Sequence, residues 1–242
     1  MGTAHAAGLW MRHLGFGERD VLLMQTAALV HDIGHVCYSH LFDKVAPTIH
    51  WYDDTLQSHE NRSTFVFRRI VMEHKLDYAQ DEVDLVCDLI HGKQTRLPNL
   101  ISNDIDVDRL DYLRRDSYYT GVPIGFQTDR IIDNSSVDDQ KQIIYKAKAQ
   151  SNIDQFLHTR TLFYSEIYRH HTVEKINKMI LKAIALIKDQ LATYFQKDHR
   201  WMTELDDFTV HYLLMKNPQS AQILRKIETR QLNEPLMLPI AT

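Results

Sequence analysis

Cysteine is scarce in this chain, with Cys37 and Cys87 the two in 242 residues. Two thiols that far apart make neither a disulfide framework nor a metal-type spacing, and a reducing, intracellular setting is expected, nucleus or cytoplasm. Breakers are few as well, with eight glycines and six prolines. That excludes collagen-like and low-complexity chains and favours helices. No apolar run approaches the ~20 residues of a membrane span, so no membrane partner is expected. The opening MGTAHAAGLWMRHLGF is too short and mixed for a signal peptide, and Ala6 breaks the myristoylation pattern. An excess of positive charge is also lacking. The net charge is −4 and the pI about 6.4. Bulk charge therefore does not favour a nucleic-acid partner, although a local basic pocket remains open. Internal repeats are absent.

Histidine is what the chain has in quantity, at 14 residues. The most informative stretch is Ala27–His40, AALVHDIGHVCYSH. An apolar run leads straight into His31 and Asp32, His35 follows one helical turn later, and His40 and Asp43 lie just beyond. An imidazole beside a carboxylate is a mixed N/O ligand pair that suits Zn, Fe, Mn or Mg. A bare His-Asp pair is more often a solvated surface feature. Here it is followed by three more titratable groups, and a second acidic cluster, Asp104-Ile105-Asp106-Val107-Asp108, lies downstream.

The periodicity predicts a mainly α fold with at most a small β element. Gly2–Leu14 reads as a helix ended by Gly15-Phe16-Gly17, and Glu18–His31 as a second, apolar on Val21, Leu22, Met24, Ala28 and Leu29. A loop then carries His35, His40 and Asp43. Pro47–Thr55, with His50, Trp51 and Tyr52, reads as irregular. His59 and Glu60 open a third helix with Ser58 as N-cap and Phe65, Phe67, Ile70 and Val71 as its apolar part. Gln80–His91 is a fourth, built on Val83, Val86, Leu89 and Ile90 and ended by Gly92.

From Asp108 the spacing is helical again. Asp108, Tyr112 and Asp116 share a face, with Arg109 at its edge. Two carboxylates and a ring on one face can hold a metal, stack a base or accept a sugar hydroxyl; the same spacing suits a salt-bridged helix with Arg114 and Arg115 outward. Gly121–Gly125 and Asn134–Asp139 read as turns, and Gln142–Ala147 as a short strand. A long helical region starts at Ile153, where Arg160, Tyr164, Tyr168 and His171 recur at one-turn spacing, fit either for phosphates and a nucleoside or for ordinary packing. Thr172–Phe195 is amphipathic through Ile176, Met179, Ile180, Ala183, Ile184, Ile187 and Leu191. Two shorter helices, near Asp206–Met215 and Ser220–Arg230, precede the tail NEPLMLPIAT.

At LVHDIGHVCYSHLFD, HENRS, IDVDRLDYLRRD and FLHTRTLFYSEIYRHH the sequence resembles the HD-domain metal-dependent phosphohydrolases. More narrowly, it resembles the deoxynucleoside triphosphate triphosphohydrolases of the SAM-and-HD-domain type. The resemblance runs along almost the whole chain. It implies one HD-type phosphohydrolase domain over 1–242, truncated at both ends, with a metal and catalytic core in 1–120 and substrate-side and C-terminal helices in 121–242.

The resemblance places a divalent metal on His31, Asp32 and Asp108. The family's first metal histidine would fall just before Met1, and His5, about a turn and a half further along the helix, is a poor substitute. His35, His40, Asp43, His59 and Glu60 would surround the scissile phosphate and supply or relay protons. Arg109, Tyr112, Asp116, Arg160 and Tyr168 would hold the nucleotide. Tyr164 stands where many relatives place a His, and His171 where they place a Lys. An allosteric nucleotide site that assembles a dimer or tetramer would draw on Arg130, Lys146, Lys148 and Arg230. The implied reaction is hydrolysis of dNTPs, dGTP among them, to deoxynucleoside and inorganic triphosphate. The competing expectations are an HD-type nucleotidase or phosphodiesterase, and an inactive chain that acts by binding.

Overall fold

The computed structural model describes residues 1–49, 53–195 and 201–232. The aromatic segment His50-Trp51-Tyr52 and the tail NEPLMLPIAT lie outside them. In chain order the helices are α1 (Gly2–His13), α2 (Glu18–Val30), α3 (His40–Asp43), α4 (His59–Glu73), α5 (Gln80–Ile90), α6 (Val107–Thr120) and α7 (Thr128–Asp133). After the strands β1 (Ser135–Val137) and β2 (Ile143–Tyr145) come α8 (Gln150–Phe163), α9 (His171–Ala185), α10 (Lys188–Ala192), α11 (Trp201–Glu204), α12 (Asp207–Lys216) and α13 (Pro218–Glu228). The mainly α expectation holds. The chain forms two compact units, one of Met1–Ile33 with Ser63–Ser165, the other of Gly34–Arg62 with Glu166–Thr242.

In the first unit, α1 packs on α2, and α2 on α5. Gly8 permits the α1–α2 approach, since a Cβ there would come within 2.4 Å of the Gln25 side chain. Gln25 in turn donates to the Ala4 carbonyl at 3.2 Å. Glycine closes the ends of α1 and α5 because each chain reversal there needs a left-handed backbone. Gly15 and Gly92 take φ of +82° and +70°. After α1, Phe16 N–H reaches Met11 O and Gly15 N–H reaches Arg12 O; after α5, Lys93 N–H reaches Asp88 O and Gly92 N–H reaches Leu89 O. Each pair satisfies carbonyls that the helix end would leave open.

The buried face of α2 is Val21, Leu23, Met24, Ala27, Ala28 and Val30. Leu22 and Leu29, expected on that face, are 43% and 52% exposed. They lie seven residues apart on the side turned away from α1 and α5, and composition alone does not say which of two leucine-bearing sides meets the neighbours. Trp10 is fully buried and its indole N–H donates to Ser135 Oγ at 2.7 Å. That bond ties α1 to β1, which pairs antiparallel with β2 in the register Ser135↔Tyr145, Ser136↔Ile144 and Val137↔Ile143. Half of the expected turn at Asn134–Asp139 is therefore strand, over Ser135–Val137. The reversal falls later, where Asp138 Oδ1 accepts from Gln140 and Gln142 N–H. Asp138 competes for local N–H groups as a turn residue does.

The second unit is built on α9 with α12 and α13. Ile184, Ile187, Leu191, Val210 and Leu214 are buried, and Phe42 of α3 meets Phe195 with ring centroids 5.4 Å apart. The single helix expected over Thr172–Phe195 breaks after Ala185. Leu186 and Ile187 N–H turn to Ala183 O and Ile184 O, three residues back, and α10 restarts at Lys188. No helix among the described residues is long and apolar enough to cross a membrane.

Candidate metal centre and histidine cluster

The sequence residues gather into two groups, one in each unit. In the first unit His31 caps the C-terminal end of α2, Asp32 follows it, and Asp108 stands in the first turn of α6. His31 Nδ1 lies 3.0 Å from the Ala28 carbonyl. A carbonyl can only accept, so Nδ1 carries the proton and Nε2 presents its lone pair. Nε2 is 3.4 Å from Asp32 Oδ2 and 3.6 Å from Asp108 Oδ1. It is buried and has no hydrogen-bond partner among the described residues.

An orphaned imidazole nitrogen facing two carboxylates fits a cation. Ligand atoms about 2.1 Å from a tetrahedral metal stand ~3.4 Å apart, which is the spacing found. Burial works against charge on His31, but Asp108 and Asp32 outweigh it and raise its pKa. The carbonyl contact is the orienting partner that metal-binding histidines generally have. Ser63 Oγ donates to the His31 carbonyl at 2.5 Å and fixes the backbone of the same residue. Thr3 of α1 reaches towards Asp108 and Asp111 at 3.5 and 3.4 Å. His5 is exposed and does not join His31, Asp32 and Asp108.

In the second unit His35, His40, Asp43 and His59 converge. His40 and Asp43 sit on the one-turn helix α3 rather than in an open loop. Asp43 Oδ2 faces three imidazoles, at 3.2 Å from His59 Nδ1, 3.6 Å from His40 Nδ1 and 3.9 Å from His35 Nδ1. The His35 and His59 rings stack with centroids 4.3 Å apart, and His40 meets His35 edge-on at 4.4 Å. Glu60 Oε1 lies 3.4 Å from His59 Nε2. Ser58 acts as the N-cap of α4, as expected: its Oγ accepts from Asn61 N–H at 3.2 Å.

Sequence reasoning gave no role to Arg62, which anchors this cluster. Its side chain is fully buried. It donates to Asp43 Oδ1 at 2.5 Å, to Gly34 O at 2.7 Å, and to Leu56 O and Gln57 O at 3.0 and 2.9 Å. Arg62 belongs to the HENRS stretch, but an arginine on a helix reads as solvated until its partners are known. Burial alone would raise the Asp43 pKa; contacts from His40, His59 and Arg62 outweigh it and hold the carboxyl far below the usual carboxylate range. Burial pushes the Arg62 guanidinium down from its ordinary value, yet guanidinium remains protonated wherever proteins fold, so the pair is charged.

Of the proposed nucleotide contacts, Arg109, Tyr112, Asp116 and Arg160 lie in the first unit and Tyr168 in the second. The Arg109 guanidinium is engaged by the Asp106 carboxylate and the Asn103 carbonyl. Asp106 also caps α6, accepting from Arg109 N–H at 2.7 Å. Burial pushes the Tyr112 phenol up to about 12, with Tyr164 adding to it. Arg114 and Arg115 are exposed, as the amphipathic reading of α6 expects. The one-turn recurrence Arg160–Tyr164–Tyr168–His171 does not lie on one continuous α-helix. α8 ends at Phe163, Tyr164–Tyr168 is a π-helical turn, and α9 starts at His171. A π turn adds a residue per turn and shifts the register. Arg130, Lys146 and Lys148 are exposed in the first unit and Arg230 in the second. Arg130 borders a cavity of about 220 Å³ with Gly125, Gln127, Ser151, Asn152 and Gln155. Both thiols are free and buried, and burial pushes Cys37 up to about 12, which leaves it protonated and inert.

Comparison with known proteins places the chain among HD-domain proteins. Residues 1–116 match the HD domain, and residues 126–235 match the HD associated region. The chain is similar to a deoxynucleoside triphosphate triphosphohydrolase SAMHD1 homolog of Dictyostelium discoideum, 29% identical over 96% of this chain and 49% of that protein. It is similar to human deoxynucleoside triphosphate triphosphohydrolase SAMHD1, 26% identical over 94% of this chain and 44% of that protein. It also resembles the uncharacterized protein YwfO of Bacillus subtilis, 31% identical over 69% of this chain and 37% of that protein. The chain spans about half the length of the first two of these relatives. The chain thus carries an HD domain followed by an HD-associated region, and the two together span most of its length.

Proposed function

We propose that this chain is a metal-dependent phosphohydrolase acting on dNTPs, dGTP among them, and releasing deoxynucleoside and inorganic triphosphate. Its consequence in a cell, nuclear or cytoplasmic, is a lower dNTP pool. The observation that carries the reading is His31, pinned through Nδ1 to Ala28 O and turned through Nε2 towards Asp32 and Asp108. The names of the Dictyostelium and human relatives support the substrate class.

His31, Asp32 and Asp108 would hold the divalent cation, Zn, Fe, Mn or Mg. When bound, such an ion supplies an activated water and a Lewis acid for a phosphoryl oxygen. The chain's own groups do the rest. An imidazole of His40 or His59 gives a proton to the departing 5′ oxygen, with His35 beside them; imidazole suits this because its ordinary pKa lies near working pH. Asp43, kept ionised by Arg62, aims the imidazoles. Glu60 does the same for the far side of His59. Arg160 and Arg109 offset phosphate charge, Arg109 by exchanging its contact with Asp106 for one with substrate. Tyr112, Asp116 and Tyr168 bound the ring and sugar and favour a 2′-deoxy substrate by contact and crowding.

Arg130, Lys146, Lys148 and Arg230 would serve an activating nucleotide, GTP or a dNTP, in a dimer or tetramer. Turnover of dNTPs, nucleoside monophosphates and cyclic nucleotides, each with Mn or Mg, tests the reading. Preference for dNTPs together with loss of turnover in Asp108→Ala supports it. Turnover confined to monophosphates or cyclic nucleotides identifies an HD hydrolase of another substrate class.

A further inference from the structure

The imidazole cluster of the second unit has the composition of a metal site in its own right. Its four donors are three histidines and one aspartate, and one ligand atom from each lies within 4.8 Å of all the others. The Asp43 Oδ2 to imidazole separations of 3.2, 3.6 and 3.9 Å bracket the ~3.4 Å expected between donors of a tetrahedral zinc. Three nitrogens and one carboxylate oxygen match the preference of a borderline-soft divalent ion over Mg or Ca, which favour all-oxygen shells.

Three further features fit. Asp43 presents one oxygen inward while Arg62 bonds the other, so its orientation is set from outside the donor set, as for carboxylates that bind metals. Arg62 is itself held by three carbonyls. His40 has a side chain 75% exposed, which gives an ion a path in and out. Every residue involved belongs to the second unit, and none belongs to the group His31, Asp32 and Asp108.

We infer that His35, His40, Asp43 and His59 form a second, exchangeable site for zinc or a similar transition-metal ion. An ion there occupies the nitrogen lone pairs that proton transfer needs. On the reading given under Proposed function, its binding therefore switches hydrolysis off, and its removal restores it.

Zinc binding to the full chain tests the site apart from activity. Equilibrium dialysis against zinc alone is run on the wild type, on Asp108→Ala, and on Asp108→Ala combined with His59→Ala or with His40→Ala, with circular dichroism on each. Asp108→Ala is expected to retain one equivalent, bound at least about tenfold more weakly once either histidine is also lost. Zinc binding that vanishes in Asp108→Ala, or that is unchanged by both histidine substitutions in folded protein, overturns the inference. A retained equivalent in a chain that hydrolyses no nucleotide leaves the zinc site standing and removes the hydrolase reading. Turnover unaffected while the second equivalent is bound removes the inhibitory role alone.

Discussion

Arg62 donates to Asp43 at 2.5 Å from a side chain with no exposed surface. The arrangement explains how a one-turn helix as short as α3 presents two functional side chains in fixed positions. The guanidinium joins α3 to Gly34 and to the Leu56–Gln57 backbone, so the segment carrying the imidazoles is braced at three points.

Removing that brace is costly, because it leaves a carboxylate and three carbonyls without their donor. Arg62→Met is expected to destabilise the fold by about 3–5 kcal/mol, the usual consequence of breaking a buried charge pair from one side. Urea denaturation checks this. A change under 1 kcal/mol would mean that water replaces the guanidinium at little cost.

Stability should also depend on pH through Asp43. Its carboxyl titrates well below the ordinary value in the folded chain, while in the unfolded chain it takes a proton near pH 4. The unfolded state thus binds more protons in this range, and stability must fall as pH falls. The contribution is fully present above about pH 5 and is lost progressively below about pH 4. Thermal melts from pH 6 to 3 should show a steeper decline for the wild type than for Asp43→Asn. Parallel declines would assign the acid sensitivity to other carboxylates.

Legibility differed sharply between the fold and the site. Helix α5 was readable because apolar spacing and a terminal glycine point the same way, in Val83, Val86, Leu89 and Gly92. The His31-Asp32 pair was readable from the apolar run that carries it, whereas Asp108 joined it only through the resemblance to the HD-domain phosphohydrolases. Arg62 was not, since a buried arginine declares itself only through partners 28 residues away at Gly34 and 19 away at Asp43. The π turn at Tyr164–Tyr168 was equally hidden: backbone register is set by packing on either side, and the residue types there suit an α-helix just as well. β1 escaped notice because Asn134, Asp138 and Asp139 look like turn residues, while the strand is held by Trp10 from the far end of the sequence.

The Trp10–Ser135 bond offers a direct check of that tie. Ser135 Oγ also donates to Ile132 O at 2.7 Å, so both groups are satisfied in a buried place. Ser135→Ala strands the indole N–H and is expected to cost about 1–3 kcal/mol. Trp10→Phe together with Ser135→Ala should cost less than the sum of the two single changes. Strict additivity in that double-mutant cycle would show that the bond contributes nothing of its own.

The central claim is that His31, Asp32 and Asp108 form the metal centre of a triphosphohydrolase. It is tested most directly by identifying the phosphorus product of a dNTP by phosphorus NMR, with Mn or Mg, in wild type and in Asp108→Ala. The account predicts intact inorganic triphosphate from the wild type and a fall of more than about 100-fold in Asp108→Ala, since loss of a ligand should exceed the 10–100-fold effect of losing an outer partner. Orthophosphate or pyrophosphate as the first product, or triphosphate released equally fast by Asp108→Ala, would contradict it.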